Sequence, residues 1–303
     1  MNQTVVHVDK LYKTYDGVVA VDHLSFDINQ GEIFGLLGPN GAGKTTTIRI
    51  VMNILQADSG DITIFGQRPG QARERVGYLP EERGLYRGQQ VYETLVYLAQ
   101  LKGMPASTAK KRASELLERV ELTEWAKRKV QDLSRGMQQK LQLIASIIHD
   151  PELIILDEPF QGLDPVNVGM VRDLIRYLRE QGKTIILSAH EMSQVEALCE
   201  RIALINHGRL VLYGNLSEIK RRFAANGIDI SPPVALDGWR EVSRVDRFDD
   251  RQRVYLAEGF TPRDILIKML NQGLNVERFE LSSIPLEEIF IKVVTADGNN
   301  PAS

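Results

Sequence analysis

The sequence predicts an α/β protein with a largely parallel core sheet, an antiparallel β subdomain, a helical insert and a small C-terminal α+β domain. Three observations carry that reading. Short apolar runs at 33–37, 153–156 and 184–187 alternate with helix-length amphipathic segments, the pattern of strand-helix-strand units that share one sheet. A glycine-rich loop lies between the first of those strands and the helix that follows it. Past Asn226-Gly227 the alternation gives way to shorter strands and helices, the mark of a separate unit.

In chain order, apolar positions recur with a short period over 4–28 and are interrupted by Asp16-Gly17, which predicts a β-hairpin or meander. A strand at 33–37 and a helix at 44–55 follow. Helical spacing returns at 91–101 and 108–120, broken by Gly103-Met104-Pro105, so a helical insert occupies about 88–148. Met137, Leu141, Ile144 and Ile148 share one face of a helix over 135–149, and Asp150-Pro151 leads from it into a strand at 153–156. A helix at 166–180, a strand at 184–187, a helix at 192–199 and a strand at 201–205 complete the alternation. Ser231-Pro232-Pro233 then marks a boundary between a main domain at 1–226 and an accessory domain at 231–295. Within the latter, strands are expected at 242–245, 253–256 and 276–281 and helices at 262–271 and 285–294, with a flexible tail at 296–303.

The chain has 303 residues, 43% hydrophobic and 25% charged, values average for a globular protein, so collagen-like, low-complexity and disordered readings drop out. A formal net charge of −3 argues against a chain that coats nucleic acid, and no nucleic-acid partner is expected. The basic clusters Lys110-Lys111-Arg112 and Lys127-Arg128-Lys129 read as solvated helix faces. No apolar run approaches the ~20 residues that span a bilayer. The first residues, Met1-Asn2-Gln3-Thr4, lack a basic and then apolar leader, which points to the cytoplasm rather than secretion. The single cysteine, Cys199, sits in an apolar segment and reads as a buried structural thiol.

Gly38-Pro39-Asn40-Gly41-Ala42-Gly43-Lys44-Thr45, followed by Thr46, fits the pattern G-x-x-x-x-G-K-[ST] between a predicted strand and a predicted helix. The glycines let successive backbone N–H groups converge on phosphate oxygens at a helix N-terminus. Lys44 supplies a point charge to the β- and γ-phosphates, and the Thr45 hydroxyl can ligate Mg2+. Farther on, the apolar strand at 153–156 ends in Asp157-Glu158. A carboxylate at the C-terminal end of a strand can hold a Mg2+-bound water, the role expected of Asp157, while Glu158 can polarise an attacking water as general base. The two motifs together point to hydrolysis of a nucleoside triphosphate. Between them, Ser134 reads as the N-cap of the helix that feeds the second strand, although Met137 at N3 denies it a capping box.

This set of motifs, in this order, resembles the ATP-binding subunit of ABC transporters over about 5–223. The resemblance implies a P-loop NTPase cassette in which Gly38 to Thr45 is the Walker A loop and Asp157-Glu158 closes the Walker B strand. Ser134, Arg135, Gly136 and Met137 then match the signature segment, Asp164 the D-loop, and His190 the switch histidine. Tyr15 matches the aromatic that stacks on adenine, with Tyr12 the weaker candidate. The family pairs two cassettes head to tail, so Ser134 and Gly136 of one subunit would meet the γ-phosphate held by the other. ATP and Mg2+ are the implied ligands, and a homodimer or paired cassette the implied assembly.

Two positions depart from the family pattern. Arg135-Gly136-Met137 stands where Gly-Gly-Gln is usual, with Ser134 and Gly136 kept as phosphate donors. Glu81 stands where the Q-loop has glutamine, and a carboxylate there can ligate Mg2+ but cannot donate through an amide. The stretch from Tyr78 to Tyr86 and the Leu286-Glu287-Glu288-Ile289-Phe290 motif resemble the drug and sodium exporter subgroup. That subgroup works through a separate permease chain, contacted around Glu81 to Arg87 and the insert, on the cytoplasmic face of the membrane. A P-loop GTPase or kinase would share the glycine-rich loop, but no Asn-Lys-x-Asp guanine reader is present. The nearer alternative is a soluble non-transport ABC ATPase acting on a macromolecular complex, although such chains carry two cassettes or long coiled coils.

Overall fold

The computed structural model describes residues 3–82, 84–223, 227–282 and 284–298. The chain divides into two compact units, 1–216 and 217–303. The first opens with the long strands β1 (Thr4–Tyr15) and β2 (Val18–Asn29), turned about Asp16 and Gly17, both with positive φ. Then come β3 (Ile33–Leu37), α1 (Lys44–Val51), β4 (Ser59–Ile64) and β5 (Val76–Leu79). The insert follows as α2 (Val91–Leu101), α3 (Ala106–Arg119) and α4 (Arg135–Ile147). The unit continues through β6 (Leu153–Asp157), α5 (Pro165–Glu180), β7 (Thr184–Ala189), α6 (Met192–Glu196), β8 (Arg201–Asn206) and β9 (Arg209–Asn215).

Six strands form one sheet in the order β5-β6-β7-β3-β8-β9. All neighbours are parallel except β9, which returns antiparallel along β8. Every residue of β3, β6 and β7 is buried, which is why these strands read as unbroken apolar runs in place of an alternating pattern. The antiparallel subdomain is the three-stranded sheet β2-β1-β4. Its inward face places Val6, Val8, Leu24, Phe26 and Ile28 in one core with Phe34 and Leu36 of β3 and Ile48 of α1. The expected hairpin is therefore observed, with a third strand added. β4 escaped sequence reasoning because Ser59-Gly60-Asp61 is polar and exposed, and only Ile62 and Ile64 are buried.

Helix ends differ from expectation where backbone geometry stops them. The helix expected over 44–55 ends at Val51, because Asn53 enters the left-handed region at φ 55° and turns the chain. The helix expected over 192–199 ends at Glu196. Cys199 is buried and unpaired, and burial pushes its thiol pKa up, as a structural role requires. Among the described residues, no helix is long and apolar enough to cross a membrane.

The second unit begins within α7 (Leu216–Phe223) and contains β10 (Gly227–Ser231), β11 (Val242–Arg247), β12 (Gln252–Leu256), α8 (Pro262–Asn271), β13 (Arg278–Leu281) and α9 (Leu286–Gly298). Its strands form an antiparallel sheet ordered β11-β12-β10-β13. The boundary expected at Ser231-Pro232-Pro233 needs correction, since β10 pairs with both β12 and β13 and so belongs inside this sheet. The expected end of the main domain at Asn226 lies outside the described residues. Ile228, Ile230, Val254, Ile265 and Met269 make a separate core. The tail expected from 296 is helical as far as Gly298, and 299–303 lie outside the described residues.

Candidate active site

Parallel pairing sends the C-terminal ends of β3, β6 and β7 to one edge of the sheet, where loops from all three meet. The loop after β3 needs glycine at two points. A Cβ on Gly38, at φ 149°, would sit 2.2 Å from the Ile205 carbonyl oxygen, and one on Gly43, at φ 104°, would sit 2.3 Å from that of Ala20. Gly43 also occupies the N-cap of α1 and has no side chain to cap it, so the first-turn N–H groups stay available to an anion. Thr45 and Thr46 stand half-buried in that first turn.

Lys44 is buried and folds back over the loop. Its Nζ donates to the carbonyls of Gly38 at 2.7 Å and Pro39 at 3.2 Å, and lies 3.9 Å from Glu158 Oε1. Burial pushes its pKa down, while Glu158, Asp157 and Glu81 pull it back up. The cation is thus fixed in the loop's concavity, close to two carboxylates.

Asp157, the last residue of β6, has no solvent exposure. Burial raises its pKa, opposed by a hydrogen bond from Ser188, raised again by Glu81, and opposed by the Thr45 hydroxyl and Lys44. The Ser188 hydroxyl donates to Asp157 Oδ1, whereas the buried Oδ2 has no partner within ordinary hydrogen-bond distance. A buried, half-satisfied carboxylate beside a threonine hydroxyl fits Mg2+, which takes one or two protein oxygens together with phosphate and water. Among the described residues, no group of three or more His, Cys, Asp and Glu forms a dedicated metal cage.

Glu158 follows at φ 51°, a left-handed backbone uncommon for a residue with a side chain. It is nearly buried, and burial raises its pKa against the lowering influence of His190 and Lys44. His190 Nδ1 lies 2.9 Å from Glu158 Oε2. These two residues line a cleft of about 600 Å³ together with Asn40 of the glycine loop and Gly162 and Leu163 of the segment before α5.

The remaining expected residues fall into two groups. Glu81 is exposed on the loop after β5, close enough to Asp157 and Lys44 to act on their charge, with no direct bond to either. Tyr15 is exposed at the end of β1, with Lys13 Nζ 5.6 Å from its ring centre, and the neighbouring strand β2 touches the glycine loop through Ala20. Tyr12 instead packs on His23 with ring centres 4.9 Å apart and is half-buried, so Tyr15 is the more exposed of the two rings. The Ser134 hydroxyl caps its own helix by accepting from the Met137 N–H at 3.3 Å, as expected. Arg135 is exposed, and Gly136 and Met137 are half-buried. The side chains nearest Gly136 are Leu163 and Asn167, which flank Asp164, and not the glycine loop. Asp164 caps α5 through the N–H groups of Val166 and Asn167. Ser188 and Gln139, whose Nε2 donates to the Pro159 carbonyl at 3.3 Å, were not singled out by sequence reasoning.

A family model described as "ABC transporter" matches residues 21–161, and one described as "ATP-binding protein DrrA1-3-like, C-terminal domain" matches 214–294. The chain is 40% identical over 299 residues to the ABC transporter ATP-binding protein YhaQ of Bacillus subtilis, covering 95% of this chain and 98% of that one. It is 37% identical to the linearmycin resistance ATP-binding protein LnrL of the same organism, over 74% of this chain and 73% of that one. It is also 39% identical to the Nod factor export ATP-binding protein I of Burkholderia pseudomallei, over 71% and 72%. Among solved structures, an ATP-binding subunit of an ABC transporter superposes with a TM-score of 0.68 at 30% identity, covering 73% of this chain and 93% of that one. cbiO1 from Clostridium perfringens, part of the transporter complex cbiONQ, does so with 0.64 at 26%, over 73% and 94%.

Proposed function

The chain belongs to the ATP-binding subunits of ABC transporters, an ATPase family, and from that premise we propose that it hydrolyses MgATP to power a separate membrane permease, in the direction of export. The observation that carries the catalytic part is the meeting of Lys44, Asp157, Glu158 and His190 at one sheet edge, with His190 Nδ1 2.9 Å from Glu158 Oε2. The glycine loop and the N-terminus of α1 would hold the phosphates, and Tyr15 the adenine. Lys44 contributes positive charge where the β- and γ-phosphates sit. Glu158 accepts the proton of the attacking water, and His190 orients that carboxylate. Thr45 and Asp157 would hold Mg2+, with Glu81 adding a carboxylate on that side; the ion neutralises charge that develops on the phosphates.

The position of Ser134 and Gly136 beside the Asp164 segment, away from their own glycine loop, supports head-to-tail pairing in which each subunit completes its partner's site. The direction of export follows the name of the Nod factor export relative, while the linearmycin relative is named for resistance. The chain would then lie on the cytoplasmic face of the membrane, docked on its permease, with no nucleic acid as partner. The second unit contributes none of the site groups, and its proposed role is to tune dimerisation or docking. Co-expression with candidate permease chains, followed by reconstitution in vesicles, tests the reading. ATP-dependent efflux and a permease-stimulated ATPase rate are expected. Hydrolysis indifferent to any membrane protein would overturn it in favour of a soluble ATPase.

A further inference from the structure

We infer that Ser188 is a positioning residue that sets both acidic groups of the site at once, orienting Asp157 toward the metal and pinning the backbone of Glu158. This rests on the reading of Asp157 as a Mg2+ ligand. Ser188 lies on β7 as the direct register partner of Asp157 on β6, so the two side chains stand side by side on one face of the sheet. Both are wholly buried. A hydroxyl has one proton to give, and here it goes to Asp157 Oδ1. The same oxygen then accepts the Glu158 N–H at 3.1 Å, alongside the Ser188 carbonyl, which accepts it at 3.3 Å.

The consequence for Asp157 is a division of labour between its two oxygens. Oδ1 is satisfied and cannot rotate away without stranding a buried acceptor, so Oδ2 is left unpartnered and held in place. Ligating carboxylates are characteristically fixed in this way by an outer hydrogen bond, whose loss typically costs about 10–100-fold in metal affinity or activity. For Glu158, the shared N–H bond fastens the residue at φ 51°, where an unsupported side-chain-bearing residue would relax. One hydroxyl on the neighbouring strand therefore aligns the metal-side and water-side carboxylates together.

The test uses the full chain loaded with a non-hydrolysable ATP analogue, with Mn2+ as probe. Mn2+ affinity is followed by loss of the free-ion electron paramagnetic resonance signal, and analogue affinity in excess chelator is measured in parallel. Ser188→Ala should weaken Mn2+ binding by about 10–100-fold, leave metal-free analogue binding unchanged, and be rescued by Ser188→Thr, which restores the hydroxyl. Asp157→Asn serves as the reference. Should Asp157→Asn abolish Mn2+ binding while Ser188→Ala stays within twofold of the parent, the role of Ser188 is overturned and the metal reading stands. Should Ser188→Ala lose metal-bound and metal-free affinity alike, its role is general packing and the inference falls. Mn2+ binding left intact by Asp157→Asn would remove the metal reading and this inference with it.

Discussion

His190 Nδ1 and Glu158 Oε2 stand 2.9 Å apart, joining the ends of two adjacent parallel strands across a cleft that also reaches the glycine loop. Glu158 is held from the other side by Lys44, whose Nζ is 3.9 Å from Oε1. One carboxylate thus has a separate partner for each oxygen, the arrangement of an oriented base.

Glu158→Gln keeps the shape of that side chain and its contact with His190 but removes the proton acceptor. Hydrolysis should fall by about 10²-fold or more, the usual loss for a general base, while ATP still binds. Steady-state ATPase rates beside equilibrium ATP affinity check this, and turnover at the parent rate would contradict the assignment of Glu158.

Removing the orienting partner should act differently. His190→Ala leaves the carboxylate chemically competent but free to rotate, and misplacement on this scale costs about 10²-fold in rate. ATP affinity and the Mg2+ requirement should change little, because His190 touches neither Lys44 nor Asp157 among the hydrogen bonds of the site. An equal loss in ATP affinity would show that His190 binds nucleotide directly.

The glycine loop, the strand ending in Asp157-Glu158 and the helix capped by Ser134 were legible in the sequence because each is local, a spacing within a dozen residues. Relationships set by register between strands distant in sequence were not. Ser188 is an ordinary serine in an apolar run until β7 is laid beside β6, which makes it the neighbour of Asp157. β10 escaped notice for a related reason, since Gly227-Ile228-Asp229-Ile230-Ser231 is too short to declare its sheet and is defined by pairing with β12 and β13. Asp58 was equally silent, although its carboxylate reaches back along the chain to hold the end of β1.

That last contact carries a prediction about Tyr15. Asp58 accepts from the Thr14 N–H at 2.7 Å, the Thr14 hydroxyl at 2.9 Å and Lys13 Nζ at 2.6 Å. These bonds, that of Lys13 first, lower its pKa to about 2 from 3.8, so the clamp is complete above pH 3.8 and is lost only as pH falls through about 2. At neutral pH only mutation can open it. Asp58→Asn should raise KM for ATP with kcat unchanged, by less than Tyr15→Ala, for which loss of base stacking worth roughly 1–3 kcal/mol predicts a rise of about 5- to 150-fold. An unchanged KM in Tyr15→Ala would place the adenine elsewhere.

A pH effect on stability is expected at His149, behind the site. Its Nε2 bonds the Val76 carbonyl of β5 at 3.1 Å and its Nδ1 is buried without a partner. Burial, helped by the charge of Lys102, lowers its pKa to about 4 from 6.5. Between those values the unfolded chain binds a proton that the folded chain does not, so stability is full above pH 6.5 and declines as pH falls toward 4. His149→Gln retains a donor for Val76 without titrating. Urea midpoints compared at pH 7.5 and pH 5 should drop less in the variant than in the parent, and equal drops would assign the acid sensitivity to other groups.

The final prediction separates a shared site from a self-contained one. Gly136 is the second residue of α4, its φ lies outside the left-handed region, and a Cβ there would meet only Leu163 and Asn167 at 3.6 and 3.8 Å, ordinary contact distances. Gly136→Asp should therefore fold, and a carboxylate in the first turn favours the helix dipole. The same charge would repel a γ-phosphate brought against that helix by a partner subunit. Lys44→Ala breaks the other half of the proposed site, where the chain's own glycine loop would grip the phosphates. Each variant alone should form dimers without hydrolysis, since both of its sites carry the same defect. Mixed, they should form heterodimers with one site doubly broken and one wholly intact, and ATPase activity should reappear on mixing. Full activity in the Gly136→Asp protein alone would reduce the Ser134 segment to a helix cap. Two silent homodimers that stay silent when shown to exchange subunits would place Lys44 and Gly136 in the same chain's site.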